Sequence, residues 1–211
     1  MPELVTTLFA AGLVNVQLIA IAFPLAILVA LAAAAIRITG IPVLAPVIVA
    51  YVELVRTTPL LLHLFFVFYV LPMFGVVLDA WPAAVLTFAL HFGAYLSEVF
   101  RAAHGTIATG ILEAATVLGL RGGVRLRRVT LPVAIRVAFP PTANTLIEAF
   151  RSTPVVALVA LPDILFNALS IIRANPGTSI LPLGVVALFF CVTCIPTTML
   201  LRRLERRWRI A

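Results

Sequence analysis

"LVTTLFAAGLVNVQLIAIAFPLAILVALAAAAI", residues 4–36, runs without a single Asp, Glu, Lys or Arg. About 20 mostly apolar helical residues cross the hydrocarbon core of a bilayer, so this run is long enough to span one. Moving outward, residues 57–78, 80–97 and 174–201 are also free of those four residue types. Residues 80–97 reach spanning length once their flanks are counted. Only 11% of the 211 residues are charged, and the mean hydropathy is +1.19. Both values lie outside the soluble globular range. The chain reads as an integral membrane protein forming one domain, residues 1–211. The start "MPELVTTLFAAG" has no basic region, so the first helix is read as retained rather than cleaved.

The composition also excludes chemistry. All fifteen basic residues are Arg, and a Walker A loop or a pyridoxal Schiff base needs Lys. Cys191 and Cys194 form a C-x-x-C inside an apolar helical run, where they read as packing residues. The reading assigns no catalytic, cofactor-binding or metal-ligating residue, and no nucleic-acid partner.

Hydrophobic runs and breakers place five membrane helices near 8–36, 58–78, 82–103, 133–160 and 180–201. Residues 42–56 fit a short helix leading into the second. Under this count Arg37, Arg121, Arg125, Arg127, Arg128 and the tail "RRLERRWR" share one side, against Glu3, Asp79, Asp163 and Arg173 on the other. The Arg-rich side is the cytoplasmic one. The N-terminus is therefore expected outside and the C-terminus inside.

Three acid–base pairs share a three-residue spacing: Glu53/Arg56, Glu98/Arg101 and Glu148/Arg151. Each pair lies on one helix face and can neutralise itself. A lone charge at the bilayer centre costs about 2.5–3.5 kcal/mol on insertion scales, so intramembrane charges tend to pair or to line a polar path. Glu98, Arg101, Glu148 and Arg151 are the candidate path residues, with helix locking as the other use of such pairs. His63 and His91 sit in neighbouring helices and His104 lies just beyond. Two intramembrane histidines read as packing residues hydrogen-bonded to backbone, and they also admit a haem-binding electron-transfer bundle.

Residues 113–132, "EAATVLGLRGGVRLRRVTLP", form a basic island between apolar runs. Their spacing (E-A-A, three residues, Gly119, nine residues, then Val129, Thr130, Leu131, Pro132) resembles the EAA signature of membrane subunits of bacterial ABC importers. "AYLSEVFR", "YVELVRTTPLLLHLF" and "FRSTPVVALVALPDIL" are similar to segments of the polar-amino-acid branch. "LPDIL" and "RRLERRW" resemble the M-type subunits of histidine/lysine/arginine/ornithine importers. Departures are Thr57 and Ala102 for Gly, Ile111 for a polar residue, Val129 for Ile, Arg151 for Lys, and Pro154 for Ser.

The resemblance implies an all-α integral membrane protein with the five-helix fold of a type I ABC importer permease. It implies a multi-pass subunit of the bacterial inner membrane that imports polar amino acids, basic ones included, and is not itself an enzyme. Partners would be an ATPase dimer that binds Mg-ATP, an extracytoplasmic solute-binding protein, a second permease half and membrane lipids. Within a cytoplasmic coupling loop at about 104–132, Glu113, Ala114, Ala115, Gly119, Leu131 and Pro132 would meet the ATPase. Glu113 is expected near a helix N-terminus, where the dipole favours an acid, and Ala114 and Ala115 offer a small-residue face. The haem bundle and a stand-alone secondary transporter are the other classes.

Overall fold

The computed structural model describes residues 2–120, 122–178 and 180–208, with the backbone alone at Pro2, Thr109 and residues 206–208. Arg121, Ser179 and the extreme termini lie outside the described residues. Every described element is helical: α1 Pro2–Thr39, α2 Leu44–Thr57, α3 Leu60–Phe65, α4 Ala80–Gly105, α5 Thr109–Val117, α6 Gly122–Arg125, α7 Leu131–Ser152, α8 Ile164–Ala174 and α9 Ile180–Trp208. A π turn and a 3₁₀ turn extend α3 to Phe74, and a π turn joins α6 to α7. Among the described residues, three helices are long and apolar enough to cross a membrane alone; two bent pairs could each supply one more.

Each bend has a local cause. Between α2 and α3 the axis turns by 112°. Thr58 there is extended (φ −114°, ψ 143°), because the ring of Pro59 bars the helical conformation from the residue before it. After α7, a 3₁₀ segment Thr153–Val159 ends at Ala160 in the left-handed region (φ 57°). Pro162 and Asp163 then restart the chain as α8, with the Asp163 carboxylate accepting from the Phe166 amide at 2.8 Å. The helix expected over 133–160 is thus cut at Ser152, and α8 is an element the apolar pattern did not reveal.

Contacts fix the relative directions of the long helices. Gly93 of α4 lies against Val29 and Ala26 of α1, and nearer both C-termini Arg37 pairs with Glu98. α1 and α4 therefore run parallel. The intervening 44–74 segment must carry the chain back across. Asn15 meets Thr153 while Ile19 and Ile147 share a cavity wall, so α7 is antiparallel to α1. Phe189 of α9 packs on Phe9, and Val192 through Thr197 follow Val16 through Ala20, so α9 is parallel to α1. Small residues allow the close α1–α4 approach, as between membrane helices generally. Ala22, Ala26, Ala30 and Ala84 are all buried in the core with Leu18, Phe88, Phe92 and Leu96.

Candidate functional site

The basic island folds as the short helix α5, a glycine turn, α6 and a π turn leading into α7. Gly119 ends α5 in the left-handed region (φ +74°). Its amide donates to the Thr116 carbonyl at 3.0 Å and the Leu120 amide to the Ala115 carbonyl at 2.9 Å. That pair of bonds is the Schellman termination, which wants glycine at this position. Arg125 donates to the Thr116 hydroxyl at 3.2 Å, holding the returning chain against α5. Ala115 is buried, whereas Glu113, Ala114, Leu131 and Pro132 are exposed. Glu113 is the fifth residue of α5, so the N-terminal dipole, which fades beyond the first turn, does not account for it. Sequence reading missed two neighbours: Val117 is 88% and Leu118 76% exposed.

The three spaced acid–base pairs behave differently. Glu98 and Arg101 do pair, through Arg101 Nη2 and Glu98 Oε1. Arg37 of α1, unassigned from sequence, closes the cluster by donating to Glu98 Oε2 at 2.8 Å. This three-residue cluster ties α1 to α4. Arg56 instead lies over the Tyr95 ring, 5.9 Å from its centroid, a cation–π contact. Among the described residues neither Glu53–Arg56 nor Glu148–Arg151 closes an ion pair.

Glu148 and Arg151 are exposed on α7. They line a pocket of about 320 Å³ with Asn144, Ser152, Thr198 and Arg202. Arg202 comes from α9, which runs antiparallel to α7, and it adds a second guanidinium to the site. Neither Glu98 nor Arg101 lines this pocket, so the four candidate path residues fall into two places. Two guanidiniums and a carboxylate around one cavity suit a ligand bearing both charge signs.

The membrane histidines do meet. Their Nδ1 atoms are 3.0 Å apart, and His63 Nε2 lies 2.6 Å from the Thr58 hydroxyl. That hydroxyl donates its proton to the Leu54 carbonyl at 2.7 Å. His63 therefore donates from Nε2, and its Nδ1 accepts from His91. Both ring nitrogens of His63 are thus engaged, one with Thr58 and one with His91, which leaves His63 no free nitrogen for a metal. His104 is exposed past α4's buried face.

A second buried polar cluster escaped the sequence reading entirely. Asn15, Thr153 and Asp163 are each fully buried. The Asn15 amide donates to Thr153 Oγ1 and to Asp163 Oδ2, both at 2.9 Å, and its carbonyl accepts from the Ile164 amide at 3.3 Å. Both N–H donors and the carbonyl oxygen of this side chain have partners, which is what allows it to be buried.

Residues 42–210 match the family model of the binding-protein-dependent transport system inner membrane component. The chain belongs to that family. This permease is a multi-pass protein of the inner membrane, and a transport component rather than an enzyme. It is 34% identical over 194 residues to the L-cystine transport system permease protein TcyB of Bacillus subtilis (strain 168), covering 92% of this chain and 82% of that one. With the glutamine transport system permease protein GlnP of Escherichia coli (strain K12) it shares 31% over 166 residues, 78% of this chain and 75% of the other. Its fold superposes with a TM-score of 0.88 on a chain from the crystal structure of an amino acid ABC transporter with histidines, at 28% identity, covering 96% and 94% of the two chains.

Proposed function

We propose that this permease is one half of the membrane channel of an ATP-driven amino-acid importer. The observation that carries the reading is α5, a helix ended by Gly119 with Val117 and Leu118 projecting from it. In this reading α5 docks in a groove of a separate ATPase, which binds Mg-ATP and supplies the work. Glu113, Ala114, Leu131 and Pro132, all exposed, border the contact, with the buried Ala115 beneath them. A second permease half, identical or related, and an extracytoplasmic solute-binding protein complete the importer. The amino-acid assignment follows from the relatives, whose own names include cystine and glutamine transport.

The whole chain, residues 1–211, acts as one membrane domain of five crossings. The parallel course of α1, α4 and α9, with α7 opposed, supports that count, because each bent pair then crosses once. The Arg bias places the N-terminus outside and α5 inside. The solute path runs past Glu148 and Arg151, whose unpaired charges are tolerable in a membrane where they face a polar cavity. The Arg37–Glu98–Arg101 cluster, none of whose residues line that pocket, acts as a brace between α1 and α4.

Reconstitution tests the reading. Proteoliposomes holding both permease halves and the ATPase, supplied with the binding protein, should accumulate labelled amino acid only with ATP. Uptake by the permease alone, driven by an ion gradient, would make it a secondary transporter instead.

A further inference from the structure

α7 carries two consecutive prolines, Pro140 and Pro141, near the middle of its 22 residues. Proline has no N–H, so the carbonyls of Arg136 and Val137, four residues back, receive no backbone donor from them. Two neighbouring rungs of the helix ladder are therefore missing. One residue on, the Thr142 hydroxyl oxygen is buried and has no hydrogen-bond partner among the described residues. The next threonine differs. Thr145 donates to the Pro141 carbonyl at 2.9 Å, a back-bond of the kind that bends helices.

The two arms of α7 are held unequally. Beyond the prolines, Ala143, Thr145, Ile147 and Ala149 are buried, and Phe150 packs on Phe189 and Phe190 of α9. Before them, none of residues 131–137 is buried. This free arm continues through the π turn into α6, whose Arg125 bonds to Thr116 of α5. The anchored arm carries Asn144, Glu148 and Arg151 of the charged pocket. The gap in the ladder thus lies between the proposed ATPase contact and the proposed solute path.

We propose that α7 is a hinged lever that bends at Pro140–Pro141, and that in the bent state the Thr142 hydroxyl donates to a carbonyl of the turn below. The proposal rests on α5 being the ATPase contact, and it names where motion of α5 enters the helix bundle. Bending is easiest where ladder bonds are already absent. Membrane helices tolerate such breaks when a nearby hydroxyl can satisfy the freed carbonyls. A helical side chain leans toward the N-terminus, so the Thr142 hydroxyl is directed at that turn. Movement of α5 then swings the free arm while the buried arm keeps its packing. A buried hydroxyl left idle costs stability in the present conformation. That cost narrows the gap to the bent state, in which the hydroxyl is used.

The test compares Thr142→Val and Thr142→Ser with the wild type in the assembled importer. Melting temperature is read on the purified complex. ATP-driven uptake into proteoliposomes is read with a labelled mixture of the protein amino acids and cystine. Thr142→Val keeps the shape and removes the idle hydroxyl, so the melting temperature should rise by about 2–4 °C. Uptake should fall at least about threefold, because the bent state loses a hydrogen bond. Thr142→Ser keeps the hydroxyl and should keep wild-type uptake. A threonine with a merely structural role does not raise stability while lowering turnover. Unchanged uptake by Thr142→Val, or a joint fall of melting temperature and uptake, overturns the hinge. Pro140→Ala combined with Pro141→Ala restores both ladder bonds and should lower uptake while the ATPase still co-purifies. Wild-type uptake by that assembled variant also overturns the hinge. A wild-type complex that takes up nothing, or needs no ATP, removes the importer reading and the hinge's role with it. ATP-driven wild-type uptake that Thr142→Val leaves unchanged removes the hinge alone.

Discussion

Arg37 and Glu98 lie 61 residues apart in sequence, yet their side chains meet at 2.8 Å where α1 and α4 converge. Arg37's side chain is only 10% exposed, whereas Arg101, the other partner of Glu98, is 45% exposed. A hydrogen bond to a charged group contributes about 1.5–3 kcal/mol when sheltered, and an exposed ion pair about 0–1 kcal/mol. Arg37→Gln should therefore lower the melting temperature of the purified permease more than Arg101→Gln does. Thermal unfolding in one detergent, at fixed lipid content, gives the order.

Gly93 sets how closely those two helices approach. A Cβ at this position would stand 2.8 Å from Val29 Cγ1 and 3.3 Å from the Ala26 carbonyl oxygen. Gly93→Ala should cost about 1–3 kcal/mol by overpacking. Adding Val29→Gly should restore part of the loss, since it removes both Val29 Cγ1 and the Val29 Cβ that would stand 2.9 Å away. A double-mutant cycle measured by thermal unfolding checks the coupling. Additive losses would show that the contact is not the cause.

The Asn15 network makes a third expectation. Asn15→Leu leaves the Asp163 Oδ2 and Thr153 oxygens without this donor in a fully buried site. The unpaired polar groups should cost about 1–3 kcal/mol. Asp163→Asn keeps an oxygen for the Phe166 amide at the start of α8 and should be milder than Asp163→Ala. Yield and melting temperature of the three variants provide the measurement.

Topology has a direct assay. With Cys191→Ser and Cys194→Ala removing the native thiols, single cysteines at Thr6 and Gly123, both exposed, should react with an impermeant reagent from opposite faces. Thr6 is expected to label from outside and Gly123 only after the membrane is opened. Labelling of both from outside would reverse the assignment of α5 to the cytoplasm.

The apolar runs of residues 4–36, 80–97 and 174–201 made α1, α4 and α9 legible, because hydropathy alone selects long membrane helices. The Thr58–Pro59 break was not read: the helix expected over 58–78 included both residues, although Thr58 is extended ahead of the proline that constrains it. What else stayed hidden depended on distant residues. Arg37 reads as a positive charge at a helix end, and nothing local says that Glu98 is its partner. Asn15 reads as one polar residue in an apolar run, and its role follows only when Thr153 and Asp163 arrive beside it. The i, i+3 rule found Glu98–Arg101 but also predicted a Glu148–Arg151 pair that does not close. Side-chain direction, not spacing, decides such pairs. α8 is short, and its 11 residues fall below the length that identifies a span.

In the proposed importer, α5 is the surface through which the permease is driven. Leu118 is the best probe, being 76% exposed next to the terminating Gly119, so Leu118→Asp disturbs no internal packing. Met73, 83% exposed on a different segment, is the matched control. The measurement is the amount of ATPase that co-purifies with each variant from membranes at equal permease level. Leu118→Asp should retain less than about a tenth of the wild-type ATPase, a loss of roughly 1.4 kcal/mol or more in binding, while Met73→Asp retains all of it. Full ATPase retention by Leu118→Asp would contradict the docking of α5.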